Sequence, residues 1–421
     1  MKSRGPLDGR VDGTVHVEHD GDAYIVLSPR ATCSVLVVSN DFQPSRVRVG
    51  IIGAGQLALM MGEVAHDVGV ETIVLATNVD DAAAHSCDEV VLGEAKDLGA
   101  VSKLASVSQV ITLDHELVDL EQLARLEREG IVVRPSSDAL RFAVDKAYQR
   151  QRFLEAALPV PRFIIIRTTA DPLLESFLEQ LPNEPVLKAP RGGYDGRGVL
   201  FPRSRDETFE MIEQLSHHGD VLVEERLELQ SEVAQLVVRG VDGTLALYPL
   251  VTTVQANGMC VEVRYPAEVS ETLKEQSAAL ARKIASLVQG VGVLAIEFFV
   301  TSEGLFVNEI ALRPHNSGHW TIEGATTSQF ANHLLAVSGQ PLGDTSARVA
   351  HAVMVNVVGA DTPGSLEAAR RIPGIFIHDY AKAWRPGRKL GHVTSVGDDA
   401  HEAHVRAWQG AQAFGTVMKE V

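Results

Sequence analysis

In the first third of the chain, short apolar runs alternate with turns and with amphipathic stretches whose apolar residues have helical spacing. Val49, Ile51 and Ile52 form an apolar run that ends at the turn GAGQLA, and an amphipathic stretch comes next. This order predicts a buried parallel strand, a glycine turn and a helix. Four later runs predict further strands of the same sheet: 71–75, 88–93, 109–113 and 130–135. We therefore expect a small parallel α/β domain that ends near residue 138.

The rest of the chain predicts a mixture of helices and antiparallel strands. An amphipathic stretch at 138–161 predicts one helix, closed by Pro159 and Pro161. Alternating residues on both sides of Asp242-Gly243 predict a hairpin. The remaining predicted helices are 171–181, 271–289 and 327–339, and the remaining predicted strands are 162–168, 184–190, 221–226, 293–301, 305–311 and a run after 345.

Composition excludes several classes of protein. The 421 residues are 45% hydrophobic and 22% charged, which is typical of a globular protein with two or three domains. The sequence contains no run of about 18 apolar residues, so it predicts no membrane-spanning segment. The three cysteines are scattered, which favours a reducing compartment such as the cytoplasm. A net charge of −17 disfavours nucleic-acid binding.

Residues 1–46 differ in character from the rest of the chain. They are rich in Gly, Asp, Pro and Ser, and they show neither a long periodic pattern nor the three parts of a signal peptide. We expect a poorly ordered N-terminal extension.

The turn at residues 53–58 matches G-x-G-x-x-A, a pattern that places a helix N-terminus against a phosphate. A dinucleotide site also needs an acidic residue at the end of the second strand. That strand ends in Ala76-Thr77, and Asp80 comes too late. The sequence therefore disfavours NAD.

A second glycine-rich stretch, GGYDGRG at 192–198, comes after Lys188 at the end of a predicted strand. Glycines let backbone N–H groups approach an anion, and a lysine adds a positive charge. The pattern predicts a mobile flap over a nucleoside triphosphate, although a glycine-rich hairpin without a ligand remains an alternative. It is not a Walker loop.

Acidic residues interrupt two apolar strands that a short turn joins. Glu297 lies on the first strand, and Asn308 and Glu309 lie on the second. A buried carboxylate is costly unless it is paired or binds a metal. The two acids predict a carboxylate pair that holds Mg²⁺ on ATP phosphates, with two separate buried salt bridges as the alternative.

Two further clusters are candidates for anion binding. The loop at 313–319, RPHNSGH, has the spacing of two zinc-binding histidines, but Pro314 and Gly318 disfavour the helix that such a site needs. Near the C-terminus, Lys382, Arg388 and Lys389 surround a Pro-Gly turn. They predict a phosphate clamp, or else a solvated hairpin tip.

The order of these motifs resembles that of the ATP-grasp enzymes: a lysine before a glycine-rich flap, two acids at a strand end, then the Glu and Asn-Glu strands. Within that superfamily GQL, RGGYDGRG, RPHNSGHWT and PGRK resemble the N5-carboxyaminoimidazole ribonucleotide synthetases, over about residues 47–400. The resemblance implies an α/β ATP-grasp fold in four parts: an extension (1–46), a parallel α/β pre-ATP-grasp domain (47–140), an ATP-grasp domain (141–342) and a small β-rich C-terminal domain (343–421).

The resemblance also implies a reaction and its ligands. ATP would phosphorylate bicarbonate to carboxyphosphate, and the amine of 5-aminoimidazole ribonucleotide would capture the intermediate or the CO₂ that it releases. This is a step of purine (IMP) biosynthesis. Mg²⁺, with Mn²⁺ as a substitute, would assist. The protein would be a cytoplasmic homodimer.

Matched position by position, the resemblance assigns candidate roles to individual residues. Glu297 and Glu309 would bind the metal. Arg313, His315 and Lys382 would be catalytic. The aminoimidazole ribonucleotide would contact Gln56, Leu57, Glu116, Asn316, Ser317, Arg388 and Lys389. In the ATP site, Lys146 and Lys188 would contact the phosphates, and Glu232 would hold the ribose. The hinge around adenine would consist of Glu224, Glu225, Arg226 and Leu227. The flap would consist of Gly193, Tyr194, Asp195, Gly196, Arg197, Gly198 and Val199, and ATP would also contact Gln255, Asn308 and Glu309.

The chain departs from the family pattern at Leu59, Gln255, Leu312 and Ala381, and it has TLDHEL at 112–117 where the family often has TYEFEN. Two other functions remain open at this point. One is an ATP-grasp ligase or formyl transferase that acts on a different ribonucleotide. The other is a nucleotide sensor without catalytic activity, which the retained pair Glu297 and Glu309 disfavours.

Overall fold

The computed structural model describes residues 46–191, 198–217, 219–256 and 258–416. The extension predicted for residues 1–46 lies outside these residues, except for Arg46. The described residues from Val47 onward form one compact unit. None of the described helices is both long enough and apolar enough to cross a bilayer.

A four-stranded parallel sheet forms the N-terminal part, with the order β3-β2-β1-β4. Its elements are β1 (Val47–Ile52), α1 (Gln56–Ala65), β2 (Val70–Ala76), β3 (Glu89–Leu92), α2 (Leu98–Ser106), β4 (Val110–Leu113) and α3 (Leu120–Arg128). The strand predicted at 130–135 is reduced to a single parallel bridge between Val133 and Ile111. Pro135, which has no N–H, ends the pairing there.

The helix predicted at 138–161 is two helices, α4 (Ser137–Val144) and α5 (Lys146–Glu155). Asp145 separates them. Its backbone is extended, and its carboxylate accepts a hydrogen bond from Tyr148 N, so it caps the second helix. Lys146 therefore begins α5, and does not lie inside a longer helix as we predicted.

A small four-stranded antiparallel sheet, with the order β5-β8-β6-β7, comes next. Its elements are β5 (Phe163–Ile166), α6 (Pro172–Glu179), β6 (Val186–Lys188), β7 (Val199–Leu200), α7 (Arg205–Ser216) and β8 (Val221–Glu224). Ile166, Leu187 and Val223 are buried against α6 and α7.

The largest sheet has nine strands, with the order β14-β13-β9-β11-β12-β15-β17-β16 and β10 beside β9. Its elements are β9 (Ser231–Arg239), β10 (Leu245–Leu247), β11 (Val251–Ala256), β12 (Met259–Tyr265), α8 (Glu271–Val288), β13 (Gly292–Thr301), β14 (Gly304–Ala311), α9 (Thr321–Gly324), α10 (Gln329–Ser338), β15 (His351–Val358), α11 (Leu366–Arg370), β16 (Ile375–Asp379), β17 (Lys389–Gly397) and α12 (Ala400–Phe414).

The C-terminal strands continue this sheet, because β15 pairs antiparallel with β12. One apolar core also joins the N-terminal sheet to the large sheet, and it includes Leu113, Phe142 and Phe298. The candidate residues on the N-terminal sheet, on the large sheet and on the C-terminal strands are therefore carried by elements that are joined by this core or by this sheet.

Candidate active site

The two carboxylates on the long hairpin lie opposite each other. β13 pairs antiparallel with β14, and the register places Glu297 across from Glu309. The predicted pairing across the hairpin is confirmed. Burial, together with the negative charges of Glu309 and Glu232, raises the pKa of Glu297. The ammonium group of Lys146 lowers the pKa of Glu309. A cation at this position would relieve the repulsion between the two acids.

Two lysines approach this pair from different elements. Lys146 Nζ lies 2.9 Å from Glu309 Oε2. Lys188, at the end of β6, is 6% exposed, and its Nζ lies 2.6 Å from Glu224 Oε2 and 3.3 Å from Asn308 Oδ1. Burial lowers the pKa of Lys188. The two predicted phosphate-binding lysines thus converge on the strand that carries Asn308 and Glu309.

Glu224 has a partner that the sequence analysis missed. Arg150, which is 1% exposed, donates to the Glu224 carboxylate and to the carbonyl oxygens of Val307 at 3.1 Å and Asn308 at 2.7 Å. Burial alone would raise the pKa of Glu224, but Arg150 and Lys188 hold it at about 2. The buried Glu224 carboxylate therefore links Arg150 to Lys188 in the interior of the site. Arg150 comes four residues after Lys146 on α5, a spacing that could have indicated a shared face.

The chain leaves β8 through the predicted adenine hinge, residues 224–227. Glu225 binds Arg162 through two hydrogen bonds of 2.8 and 2.9 Å, and Arg226 stacks over the Phe201 ring at 5.7 Å. A cavity of about 410 Å³ opens beside this segment. Its lining comprises Asn183, Glu184, Pro202, Arg203, Arg226, Leu227 and Glu228.

The base of the predicted flap is part of the small sheet. Val199 pairs with Lys188, and Ala189 N donates to Gly198 O at 2.8 Å. Gly198 has a φ of +79°, which favours glycine. Arg191 binds Asp145, the residue that caps α5. The flap residues Gly193, Tyr194, Asp195, Gly196 and Arg197 lie outside the described residues.

Glu232 and Gln255 are carried by neighbouring strands of the large sheet, β9 and β11. Glu232 pairs in register with Thr253, two residues before Gln255. Burial and the charge of Glu309 raise the pKa of Glu232 to about 7. The predicted ribose ligand therefore lies close to the carboxylate pair.

The loop after β14 brings His315 back to the carboxylates. Its Nε2 lies 3.7 Å from Glu297 Oε1, and its Nδ1 lies 2.9 Å from Ser317 Oγ. Asn316 and Ser317 begin a short 3₁₀ turn. The described residues contain no group of three His, Cys, Asp or Glu side chains that could hold a metal ion by themselves.

Glu116 connects the N-terminal sheet to this loop. Its Oε1 accepts a hydrogen bond from Leu312 N at 2.6 Å, and its Oε2 lies 3.4 Å from Arg313 Nε. Glu116 therefore orients Arg313, in addition to any contact that it makes with a substrate.

The glycine turn before α1 donates hydrogen bonds to a side-chain carboxylate of the protein itself. Asp114, at the end of β4, accepts hydrogen bonds from Gly55 N at 2.7 Å and Ala58 N at 2.9 Å. A Cβ on Gly55 would lie 2.4 Å from Asp114 Oδ2. The carboxylate of Asp114 therefore takes up two N–H groups of this helix N-terminus that could otherwise face another anion. The neighbouring β1 and β4 strands explain the proximity.

Two residues predicted to lie at the substrate site, Gln56 on α1 and Lys382 near the C-terminus, contact each other. Lys382 Nζ donates to Gln56 Oε1 at 2.5 Å and lies 5.3 Å from the centre of the Tyr380 ring. Arg388 donates to Ala383 O at 3.2 Å, and Lys389 begins β17. Leu57, which is 4% exposed, packs in the apolar core.

Comparisons with known proteins agree with this architecture. Three family models match: a ribonucleotide synthetase pre-ATP-grasp domain over residues 46–144, an ATP-grasp domain over 151–330, and a phosphoribosylaminoimidazole carboxylase C-terminal domain over 352–406. The fold and the arrangement of the site define an ATP-grasp ligase.

Relatives narrow the class. The chain is 42% identical over 369 residues to the N5-carboxyaminoimidazole ribonucleotide synthase of Mycobacterium bovis, covering 85% of this chain and 86% of that protein. The corresponding synthetase structure from Thermus thermophilus is 34% identical, with a TM-score of 0.80, and covers 89% of this chain and all of its own. The Aspergillus clavatus synthase, solved with ADP and 5-aminoimidazole ribonucleotide, is 30% identical, with a TM-score of 0.80, and covers 88% and 99%. The chain belongs to the N5-carboxyaminoimidazole ribonucleotide synthase family.

Proposed function

We propose that the protein uses ATP to carboxylate the exocyclic amine of 5-aminoimidazole ribonucleotide with bicarbonate, in purine (IMP) biosynthesis. The products are N5-carboxyaminoimidazole ribonucleotide, ADP and phosphate. The observation that carries the proposal is the pairing of Glu297 with Glu309, flanked by Lys146 on one side and His315 on the other.

The first chemical step transfers a phosphoryl group. A bicarbonate oxygen attacks the γ-phosphorus of ATP, the bond to the β-phosphate oxygen breaks, and ADP leaves with the bonding electrons. Lys146 and Lys188 neutralise charge on the transferred group. Gly198 and Val199 belong to the flap that excludes water, because carboxyphosphate is readily hydrolysed.

Metal binding fits the donor set. Glu297 and Glu309 offer carboxylate oxygens and Asn308 an amide oxygen, which are ligands that suit Mg²⁺ or Mn²⁺. The metal would supply charge neutralisation at the phosphates. ATP oxygens would complete the coordination, because the described residues provide no self-sufficient metal site.

The second step joins carbon to nitrogen. The amine attacks the carbonyl carbon of carboxyphosphate, or the CO₂ that it releases, phosphate departs, and the amine loses a proton. Arg313, His315 and Asn316 surround the carboxyl group, while Lys382, Arg388 and Lys389 hold the ribonucleotide 5′-phosphate. Gln56 and Glu116 support this side by binding Lys382 and Arg313.

The assay measures ¹⁴C-bicarbonate incorporation and phosphate release, with and without the ribonucleotide. We expect acid-labile ¹⁴C product that requires both ATP and 5-aminoimidazole ribonucleotide. Phosphate release without any ribonucleotide-dependent product would contradict the proposal. We also propose a homodimer, which sedimentation at micromolar concentration would test, and a cytoplasmic location, which cell fractionation would test.

A further inference from the structure

Gln329, the first residue of α10, is fully buried and holds the backbone of His315 at two points. Its Oε1 accepts a hydrogen bond from His315 N at 2.8 Å, and its Nε2 donates to His315 O at 2.7 Å. The Gln329 backbone N–H in turn donates to Thr321 Oγ1 at 2.9 Å. The amide thus binds both polar backbone groups of one residue, as a paired strand would.

A third contact fixes which way the amide points. Gln329 Nε2 lies 3.0 Å from His319 Nδ1. An amide NH₂ group can only donate hydrogen bonds, so His319 Nδ1 accepts the hydrogen bond and the imidazole ring is neutral. Burial lowers the pKa of His319 well below its usual range, consistent with that state. Reversing the amide would place its NH₂ group against the His315 N–H.

The packing leaves little freedom at this contact. A Cβ on Gly318 would lie 2.4 Å from Gln329 Oε1 and 2.4 Å from Leu236 Cδ2. The loop therefore approaches the glutamine closely only because residue 318 is glycine. With its backbone held, His315 presents Nε2 towards Glu297 and Nδ1 towards Ser317.

We propose that Gln329 is a positioning residue for the carboxyl-transfer half of the reaction, acting through His315. The inference rests on the proposed function. Within the described part of the chain, the side-chain hydrogen bonds of Gln329 go to His315 and His319, and not to the lysines of the ATP half. Loss of this support should leave ATP binding largely intact. Carboxyphosphate would then escape capture by the amine and hydrolyse.

The test compares two variants with a control on the same helix. Gln329→Leu removes all three side-chain hydrogen bonds at similar size, and Gln329→Glu keeps the acceptor for His315 N but loses both donors. Asn332→Leu is the control, because Asn332 is equally buried and its amide binds Tyr248 Oη and Gly343 N, away from the 315–321 loop.

For both Gln329 variants we expect kcat for ribonucleotide carboxylation to fall about 10- to 100-fold. The KM for ATP should change little, and more than one phosphate should be released for each ribonucleotide carboxylated. Asn332→Leu should lower stability while each carboxylation still releases one phosphate. If Gln329→Leu does not fold, Gln329→Glu decides the matter, because it preserves the shape and one hydrogen bond.

One-to-one coupling in the folded Gln329 variants would overturn the inference. Failure of the proposed function would appear differently, since the unaltered protein would then lack ribonucleotide-dependent ¹⁴C incorporation. The two failures are therefore distinguishable in one set of assays.

Discussion

Lys146 and Glu309 form an ion pair of 2.9 Å although 163 residues separate them in the chain. The first residue of α5 thereby meets the strand that carries the proposed metal ligands. The lysine stabilises the carboxylate in its charged form, which is the form that binds a cation. The pair therefore brings together the phosphate-binding and metal-binding parts of the proposed ATP site.

Glu309→Gln should abolish turnover while the fold is retained. Removing one of two paired carboxylates weakens the metal site, and we expect kcat to fall at least about 100-fold, or ~2.7 kcal/mol. Steady-state phosphate release measures the effect. Glu271→Gln is the control, since the Glu271 side chain is 77% exposed on α8. Activity within about tenfold of the unaltered protein would exclude the metal assignment.

Arg388→Ala should raise the KM for 5-aminoimidazole ribonucleotide about 10- to 100-fold, because a charge-assisted hydrogen bond to a phosphate contributes about 1.5–3 kcal/mol. The KM for ATP should barely move. A two-substrate kinetic matrix separates the two constants. Arg371→Ala, at an exposed position after α11, should change neither. Equal shifts in both constants would show that Arg388 does not discriminate between the two nucleotides.

Asp114→Ala should weaken both α1 and the ribonucleotide site. Asp114 and Asp119 each accept hydrogen bonds at a helix N-terminus, and loss of either should cost about 0.5–2 kcal/mol. Only α1 carries Gln56, the partner of Lys382. We therefore expect a higher KM for the ribonucleotide in Asp114→Ala and not in Asp119→Ala. An equal KM for the ribonucleotide in both variants would show that Asp114 does not influence the substrate site.

Arg150→Met should lower the free energy of unfolding by about 3–5 kcal/mol, because Glu224 would remain buried with one of its two cationic partners removed. Urea denaturation measures the loss. The control is Arg152→Met, whose ion pair with Glu155 is solvent-exposed and should contribute less than about 1 kcal/mol. Similar losses in the two variants would show that the buried carboxylate tolerates the change.

His333 should make the protein less stable in acid. Its Nδ1 accepts from Val293 N and its Nε2 contacts Thr112 Oγ1, and burial lowers its pKa from 6.5 to about 3. Between these values the unfolded chain binds a proton that the folded protein excludes. Stability is therefore present above pH 6.5 and declines as the pH falls.

His333→Gln should remove about 1 kcal/mol of the stability loss between pH 6.5 and 5.5. Urea denaturation at the two pH values measures it, with His401→Gln at an exposed position as the control. An unchanged pH dependence in His333→Gln would mean that other groups cause the acid sensitivity.

The sequence by itself determined the features that depend on neighbouring residues. Apolar runs and glycine turns predicted most strands, and the short turn after Thr301 indicated that Glu297 and Glu309 can face each other across a hairpin. A register shift between Glu297 and Phe298 decides that Glu309 is the direct partner of Glu297. These features are local because a strand alternates with a period of two and a tight turn sets the hairpin register. The motif order was also sufficient to indicate the family.

Only the tertiary structure decided which charges meet. The Asp114 carboxylate accepts a hydrogen bond from the glycine turn, Arg150 donates to Glu224, and the Gln329 side chain accepts from the backbone N–H of His315. The first two contacts span 59 and 74 positions of the chain, and the third spans 14 positions between a loop and a helix. A sequence pattern carries no distance between such separate elements. The physical cause is packing: once the sheets and helices share a core, a buried polar group must bond to whatever partner the topology places beside it.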